Sequence, residues 1–327
     1  MKTLTTNRAC LALLALGLLP FTNFPATAAD YHSLKEILVG GAGGYDYLTA
    51  DSAAHRLYVS HGTKAVVIDT DKNEVVGEIA DTPGIHGIAI APEAKRGFTS
   101  NGREAKTSIF DPETLKTISK VDTGANPDAI LYDPGQQEIY TFNGRGNSAT
   151  VIEAKTGKVV ATVPLSGKPE AAVADPKAGR VYCNIENKNE IAVIDTKTHQ
   201  VTATWPIAPG EEASGMAFDE AHHRIFIGCH NKLMEMIDST NGKIVASVPI
   251  GDGVDGNAFD PGTQLAFSSN GDGTVTIAHE DAPDKLTVVQ TLKTQRGART
   301  IALDPRTHNI YLATGSGESF KVLVYGR

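Results

Sequence analysis

The sequence predicts an all-β chain: a seven-bladed β-propeller of four-stranded antiparallel blades, its ring closed by an N-terminal strand that completes the last blade. Three observations predict it. First, a strand-turn phrase recurs through the chain, as in Ile130-Leu131-Tyr132-Asp133-Pro134, Ala172-Val173-Ala174-Asp175-Pro176 and Ile301-Ala302-Leu303-Asp304-Pro305. Its turn residue falls at 51, 91, 133, 175, 219, 260 and 304, which sets seven units of 40 to 44 residues. Second, each unit holds four short β-like runs, a to d; in the third they are 128–132, 138–142, 149–153 and 158–164. Third, the last unit stops after its third run, while a spare run at 34–39 precedes the first.

Taken along the chain, residues 1–28 have the three-part layout of a secretory signal peptide: Lys2 and Arg8, the apolar run 10–19, then Pro25-Ala26-Thr27-Ala28. The apolar run is too short to span a bilayer, and no later stretch approaches that length. Residues 29–327 then form a single propeller domain, exported to the periplasm. Loss of Lys2 and Arg8 takes the net charge from −8 to −10. The run at 34–39 matches the d runs in character and supplies the missing strand of the last blade. The a-to-b turn is usually Asp-Pro, because proline pre-sets the second turn position and the Asp side chain caps the backbone; Ala91 is the one exception. A second column of acids, including Asp69, Asp111, Asp195 and Asp238, opens the c-to-d turn. Both columns read as turn chemistry. Strand a of most units is apolar at successive positions, as a strand covered on both faces must be. Cys183 and Cys229 sit at different levels of different units and read as small core residues.

The phrases Leu57-Tyr58-Val59-Ser60-His61, Ala65-Val66-Val67-Ile68-Asp69-Thr70 and Ile191-Ala192-Val193-Ile194-Asp195-Thr196, each followed by a Val-rich d strand, resemble the YVTN repeat of the YncE-like bacterial seven-bladed β-propeller family. The resemblance covers the whole chain after residue 28. It implies a secreted or periplasmic binding module, in some members a DNA-binding one.

In a ring of this connectivity the d-to-a and b-to-c loops share one face, here called the top, around the mouth of the central channel. The residues that begin strand a form the column Asp46, His86, Asp128, Glu170, Ser214, Asp255 and Arg299. All but Ser214 are ionisable, between small or apolar columns. Two readings follow. Either Arg299 pairs with Asp46 or Asp255 around a water-filled mouth, or His86, Asp128 and Glu170 hold a divalent cation such as Ca2+ or a cationic or polar ligand. A second tier, His61, Asn101, Asn143 and Asn270, ends strand b. Asn suits a left-handed turn position, and the glycines beside these residues admit close approach of a ligand. His55, His223 and His308 occupy the a-to-b turn on the opposite, bottom face in separate blades; His199, His222 and His279 read as solvated residues of that side.

There is no nucleophile elbow, phosphate-binding glycine loop, closely spaced metal motif or Ser/His/Asp set, so no catalytic residue is assigned. The first reading is therefore a non-enzymatic periplasmic module that binds a small-molecule or protein ligand at the top face. The second is a metal-dependent hydrolase of the lactonase kind, in which the acidic ring holds a divalent cation that activates water. Nucleic-acid binding comes third. Lys64, Arg103, Lys106, Arg145, Lys168, Lys188, Lys232, Arg296 and Arg299 reach the top face, but acids share it and a net charge of −10 opposes affinity. A quinone-dependent dehydrogenase is set aside, since Trp205 is the only tryptophan.

Overall fold

The computed structural model describes Met1 and residues 29–327 as seven four-stranded antiparallel sheets set as blades around a central axis. The segment 2–28, with its signal-peptide reading, lies outside the described residues. In the third blade the strands are Pro127–Asp133, Glu138–Asn143, Ser148–Glu153 and Val159–Pro164, paired in simple meander order. The last blade takes Ile301–Asp304, Asn309–Thr314 and Lys321–Gly326 from the C-terminal end and His32–Leu38 from the other. His32 pairs with Gly326 and Leu38 with Lys321, so the first strand closes the ring. Tyr31, just before it, is buried against Phe267 of the sixth blade and donates its hydroxyl to the His308 carbonyl at 2.7 Å. Among the described residues no helix is long and apolar enough to cross a membrane.

The core lies between blades rather than within a single layer. One apolar cluster joins Tyr140, Phe142 and Val151 of the third blade to Val181, Cys183 and Ile194 of the fourth; another joins Phe226 and Met236 of the fifth to Phe259 and Ala266 of the sixth. Both faces of each inner strand are thus covered, which explains their unalternated apolar sequence. Outer strands such as Glu74–Ile79 and Val159–Pro164 expose Val75, Val76, Val159 and Val160. Cys183 and Cys229 are buried free thiols.

The two acid columns do the turn work their spacing implies. Asp133, Asp175, Asp219, Asp260 and Asp304 are almost fully buried, and each accepts a backbone N–H from its own turn, as in Gly135 N–H to Asp133 Oδ1 at 2.9 Å. Asp69, Asp111 and Asp195 each accept two N–H groups of the c-to-d turn. These bonds hold their carboxyls below the ordinary carboxylate value. His199 departs from the solvated reading: its Nε2 lies 2.8 Å from Glu138 Oε2, and its side chain tilts against Tyr140 of the neighbouring blade.

Glu235 is a buried acid that answers to no turn. Glu235, on Leu233–Asp238 of the fifth blade, is fully buried with neither oxygen hydrogen-bonded, where matching positions of other blades hold Val66, Thr150, Ala192 and Thr276. Burial pushes its carboxyl from 4.5 up to about 7. The folded chain keeps this proton longer than the unfolded chain, so its contribution is full below about pH 4.5 and is lost as pH rises to about 7. Glu235→Gln should remove up to about 3 kcal/mol of the stability difference between pH 5 and pH 8. Urea denaturation at the two pH values measures it, and an unchanged difference would contradict a buried proton at Glu235.

Candidate functional site

The first residues of strand a are aimed by a repeated irregularity. In the third blade Pro127 pairs with Asn143 and Ile130 with Thr141, so Asp128 and Ala129 together stand opposite Phe142 alone. The same β-bulge lies between Ile85 and Ile88, Pro169 and Ala172, Ala213 and Met216, and Val254 and Gly256. Each bulge carries one residue of the predicted column, namely His86, Asp128, Glu170, Ser214 or Asp255. A bulge bends its strand and re-aims one side chain, here into the channel mouth. The residue after the column position is small, since inner strands converge there: a Cβ on Gly87 would meet Ile130 at 2.8 Å, and one on Gly215 would meet Asn257 at 2.3 Å. Asp46 and Arg299 precede the short strands Leu48–Asp51 and Ile301–Asp304. Asp46 is fixed by its N–H to Ser60 Oγ at 2.8 Å and by Thr300 Oγ1 on its carbonyl at 2.7 Å.

The column closes on a mouth cavity of about 400 Å³, lined by Asp46, Asp128, Lys168, Glu170, Asp255 and Arg299 with Glu186 and His230 at its rim. Beneath it a channel segment of about 160 Å³ runs between the bulge residues and past Tyr47. Tyr47 of the first blade packs against the core of the third and fourth, and its hydroxyl lies 3.4 Å from Glu170 Oε1. Burial and the carboxylates around it hold its phenol protonated well above the ordinary tyrosine range.

Charges in the mouth separate into two pairings and a triad. Arg299 Nε meets Asp255 Oδ2 at 2.6 Å, and Ser214 Oγ donates to Asp255 Oδ1 at 2.8 Å. Lys168 bridges Glu170 Oε2 at 3.0 Å and Glu186. The triad is His86, whose Nδ1 is 2.6 Å from Asp46 Oδ2 and 3.5 Å from Asp128 Oδ1. Asp46, His86 and Asp128 are thus the mouth residues able to converge on one cation. Glu170 does not join His86 and Asp128 as the sequence suggested, because Lys168 and Tyr47 draw its carboxyl to the other side. Burial, with repulsion from Asp46 and Asp255, pushes Asp128 up to about 6 despite His86 and Lys168. Burial and Asp128 push Glu170 up to about 8, and Asp255 also rises. Burial opposes charge on His86, but the Asp46 hydrogen bond and the surrounding carboxylates outweigh it and raise its value.

The second tier does not reach the mouth. Asn101, Asn143 and Asn270 are fully buried; their amides donate to Ser108, to Ser148 and Thr150, and to Thr274 and Thr276, tying strand b to strand c. His61 is buried between the first and last blades, its ring stacked on Phe320 at 4.1 Å and 6° with no hydrogen bond to either nitrogen. Burial lowers its proton affinity. The glycines beside these residues have another outcome. Gly62 and Gly102, with Gly44 and Gly84 of the d-to-a loops, border a groove next to the mouth that also meets Arg103, Arg145 and Arg299. Of the other top-face cations, Lys64 pairs with Glu78, Lys106 with Asp122 and Lys232 with Asp252.

Neither a family model nor a curated protein matches the sequence. Solved structures show the fold. A chain of the mitotic checkpoint complex superposes with a TM-score of 0.77 at 13% identity, over 99% of each chain. A chain of hydrazine synthase from Kuenenia stuttgartiensis superposes at 0.75 and 16% identity, over 93% of this chain and 98% of that one. The chain is therefore a seven-bladed β-propeller with an ionisable channel mouth.

Since His61 packs rather than binds, His61→Ala should destabilise the fold by about 2–3 kcal/mol through the cavity and the lost stack. Thermal melts measure this loss. The top-face geometry should stay intact, so any ligand of the mouth should keep its affinity within about twofold once the variant is folded.

Proposed function

We propose that the chain is an exported binding module of the YncE-like, YVTN-repeat kind, whose channel mouth captures a ligand presenting a cationic group. The observation that carries this is the acidic ring: four carboxylates, Asp46 and the bulge-aimed Asp128, Glu170 and Asp255, converge from different blades on one half-buried cavity. Burial and mutual repulsion raise the proton affinities of Asp128, Glu170 and Asp255, a charge that the site's own cations, Lys168 and Arg299, leave only partly compensated. A cation entering the mouth supplies the missing compensation. The groove beside it, with Arg103 and Arg145, suits an anionic portion of the same ligand. Small molecule and protein segment both fit this chemistry, since the mouth is open to the top face. The resemblance of the repeat phrases and the layout of residues 1–28 support export to the periplasm.

A second reading is favoured by the triad alone. Asp46, His86 and Asp128 offer three donor atoms within 4.8 Å of one another. Such a set can hold a divalent cation, which would polarise a carbonyl and lower the pKa of bound water, as a metal-dependent hydrolase requires.

Calorimetric titration of the purified chain with Ca2+, Zn2+ and the organic dication putrescine separates these readings. Asp128→Asn should weaken capture of the binding probe at least about tenfold, the loss expected when one partner of a half-buried charge pair is removed; His86→Ala should weaken a metal probe likewise, but for putrescine it removes a competing charge and should not weaken capture. Unchanged affinity in Asp128→Asn would reject the mouth as the recognition site. Metal binding with turnover of a lactone would favour the hydrolase.

The pH dependence has a fixed sign. Asp128, near 6, and Glu170, near 8, lose protons as pH rises, and His86 loses its competing charge. Cation affinity should therefore climb from pH 5 to pH 8.5. Flat affinity over that window would place the binding elsewhere. Export is read separately: the mature chain recovered from the periplasm of an expressing bacterium should begin at or near residue 29.

A further inference from the structure

The repeat offers its own control for every position, and two departures from it meet at one point on the bottom face. Asp219 is the ordinary buried a-to-b acid of the fifth blade, its Oδ1 accepting the Ala221 N–H at 2.9 Å. Three residues on, the other units hold Ala54, Ala94, Gln136, Ala178, Thr263 and Thr307. In the sixth and seventh blades that residue is a threonine whose hydroxyl donates to the second oxygen of the turn acid, Asp260 or Asp304. The fifth blade places His222 there instead. Its Nδ1 lies 2.6 Å from Asp219 Oδ2.

The second departure comes from the next blade. At the end of strand c, one residue donates its N–H to the a-to-b turn of its own blade: Thr70, Ala154, Thr196 and Ser239 do so just past the strand, and Glu280 does so within Thr274–Ala282 of the sixth. Small or hydroxyl side chains fill this position in the other four. The Glu280 carboxyl instead crosses to the fifth blade, with Oε1 3.4 Å from His222 Nδ1. It is 4% exposed, and neither of its oxygens has a hydrogen-bond partner. A fully buried carboxyl aimed at another acid, without a donor for either oxygen, is costly unless something positive occupies the gap. Arg224 does not fill it, as its guanidinium donates to the Pro283 and His223 carbonyls.

We propose that Asp219, His222 and Glu280 form a zinc-class divalent metal site that staples the fifth blade to the sixth. Their donor atoms, one imidazole nitrogen and two carboxylates, all lie within 4.8 Å of one another. Imidazole with carboxylates suits Zn2+ or a similar first-row ion, whereas Ca2+ takes oxygen donors. Three protein ligands leave a fourth position for water, on the side where His222 is 41% exposed. The ion would satisfy Glu280 and fix the turn to the neighbouring strand.

The site shares no residue with the channel mouth, so the two are tested apart. In a His86→Ala/Asp128→Asn background, chelator-stripped protein dialysed against Zn2+ should take up about one ion per chain by elemental analysis, with a rise in Tm. Glu280→Thr installs the residue that the first and fourth blades carry, and should fold as judged by circular dichroism. It and His222→Ala should each weaken zinc affinity by at least about 100-fold, more than loss of an outer partner does. No zinc in the background protein, or undiminished zinc in folded Glu280→Thr, would overturn the assignment.

Discussion

A four-stranded blade whose inner strands are apolar on both faces cannot be covered by one neighbour, and that demand governs everything else in the molecule. Each blade covers the next, so a row of blades always ends with two bare faces unless it closes. Closure by His32–Leu38 on Lys321–Gly326 removes both ends at once. It also ties the two ends of the domain into a single sheet, with Tyr31 docked below it. Clusters that join successive blades follow from the same demand, as does the exposure of valines on the outer strands, where no neighbour is close.

Closing the ring also creates the site. Inner strands converge toward the axis, where space between blades vanishes, and the chain responds with small residues and a bulge at the start of strand a. The bulge lets the backbone turn into the next blade, and it swings one side chain per blade into the mouth. Ionisable residues placed there are partly stripped of water and face one another across the axis. Raised carboxyl values at Asp128 and Glu170 are therefore consequences of ring geometry as much as of local partners. Fold and electrostatics are not separable at this point.

How far the sequence reveals this depends on what the repeat encodes. Blade number, strand order and the closing strand are legible because they rest on periodic turn acids and apolar runs, each repeated several times. The mouth column is legible for the same reason: it is a fixed position in the unit. Pairing within the column is not, because it depends on where each side chain swings across the axis. Glu170 sits beside the triad in the alignment, yet Lys168 and Tyr47 hold it elsewhere. Tyr47 itself falls between the aligned columns, though a lone aromatic next to a run of small residues is a signal that something must fill the channel. The glycines after the Asn column suggest left-handed turn positions open to a ligand; Asn101, Asn143 and Asn270 instead stay in strand b without a positive φ, and their amides turn inward to the threonines and serines of strand c. Those hydroxyl residues are visible in the sequence, so the register of the hairpin could have paired them.

Seven near-copies of one unit also sharpen the meaning of an exception. In an ordinary fold a buried glutamate can be ascribed to its unique surroundings. Here Glu235 and Glu280 occupy places where sibling blades show that a small or apolar residue suffices for folding. Neither acid is needed to build a blade, and both burden the blade that carries them with a desolvated, unpartnered carboxyl. They differ in what surrounds them. Glu235 lies beside a free thiol, Cys229, and burial there favours a retained proton. Glu280 faces a second acid and an imidazole, the arrangement that suits a shared cation. The same fold-level burden thus resolves as a neutral acid in one place and as a cation site in the other, and the choice is made by the nearest three or four side chains rather than by the ring.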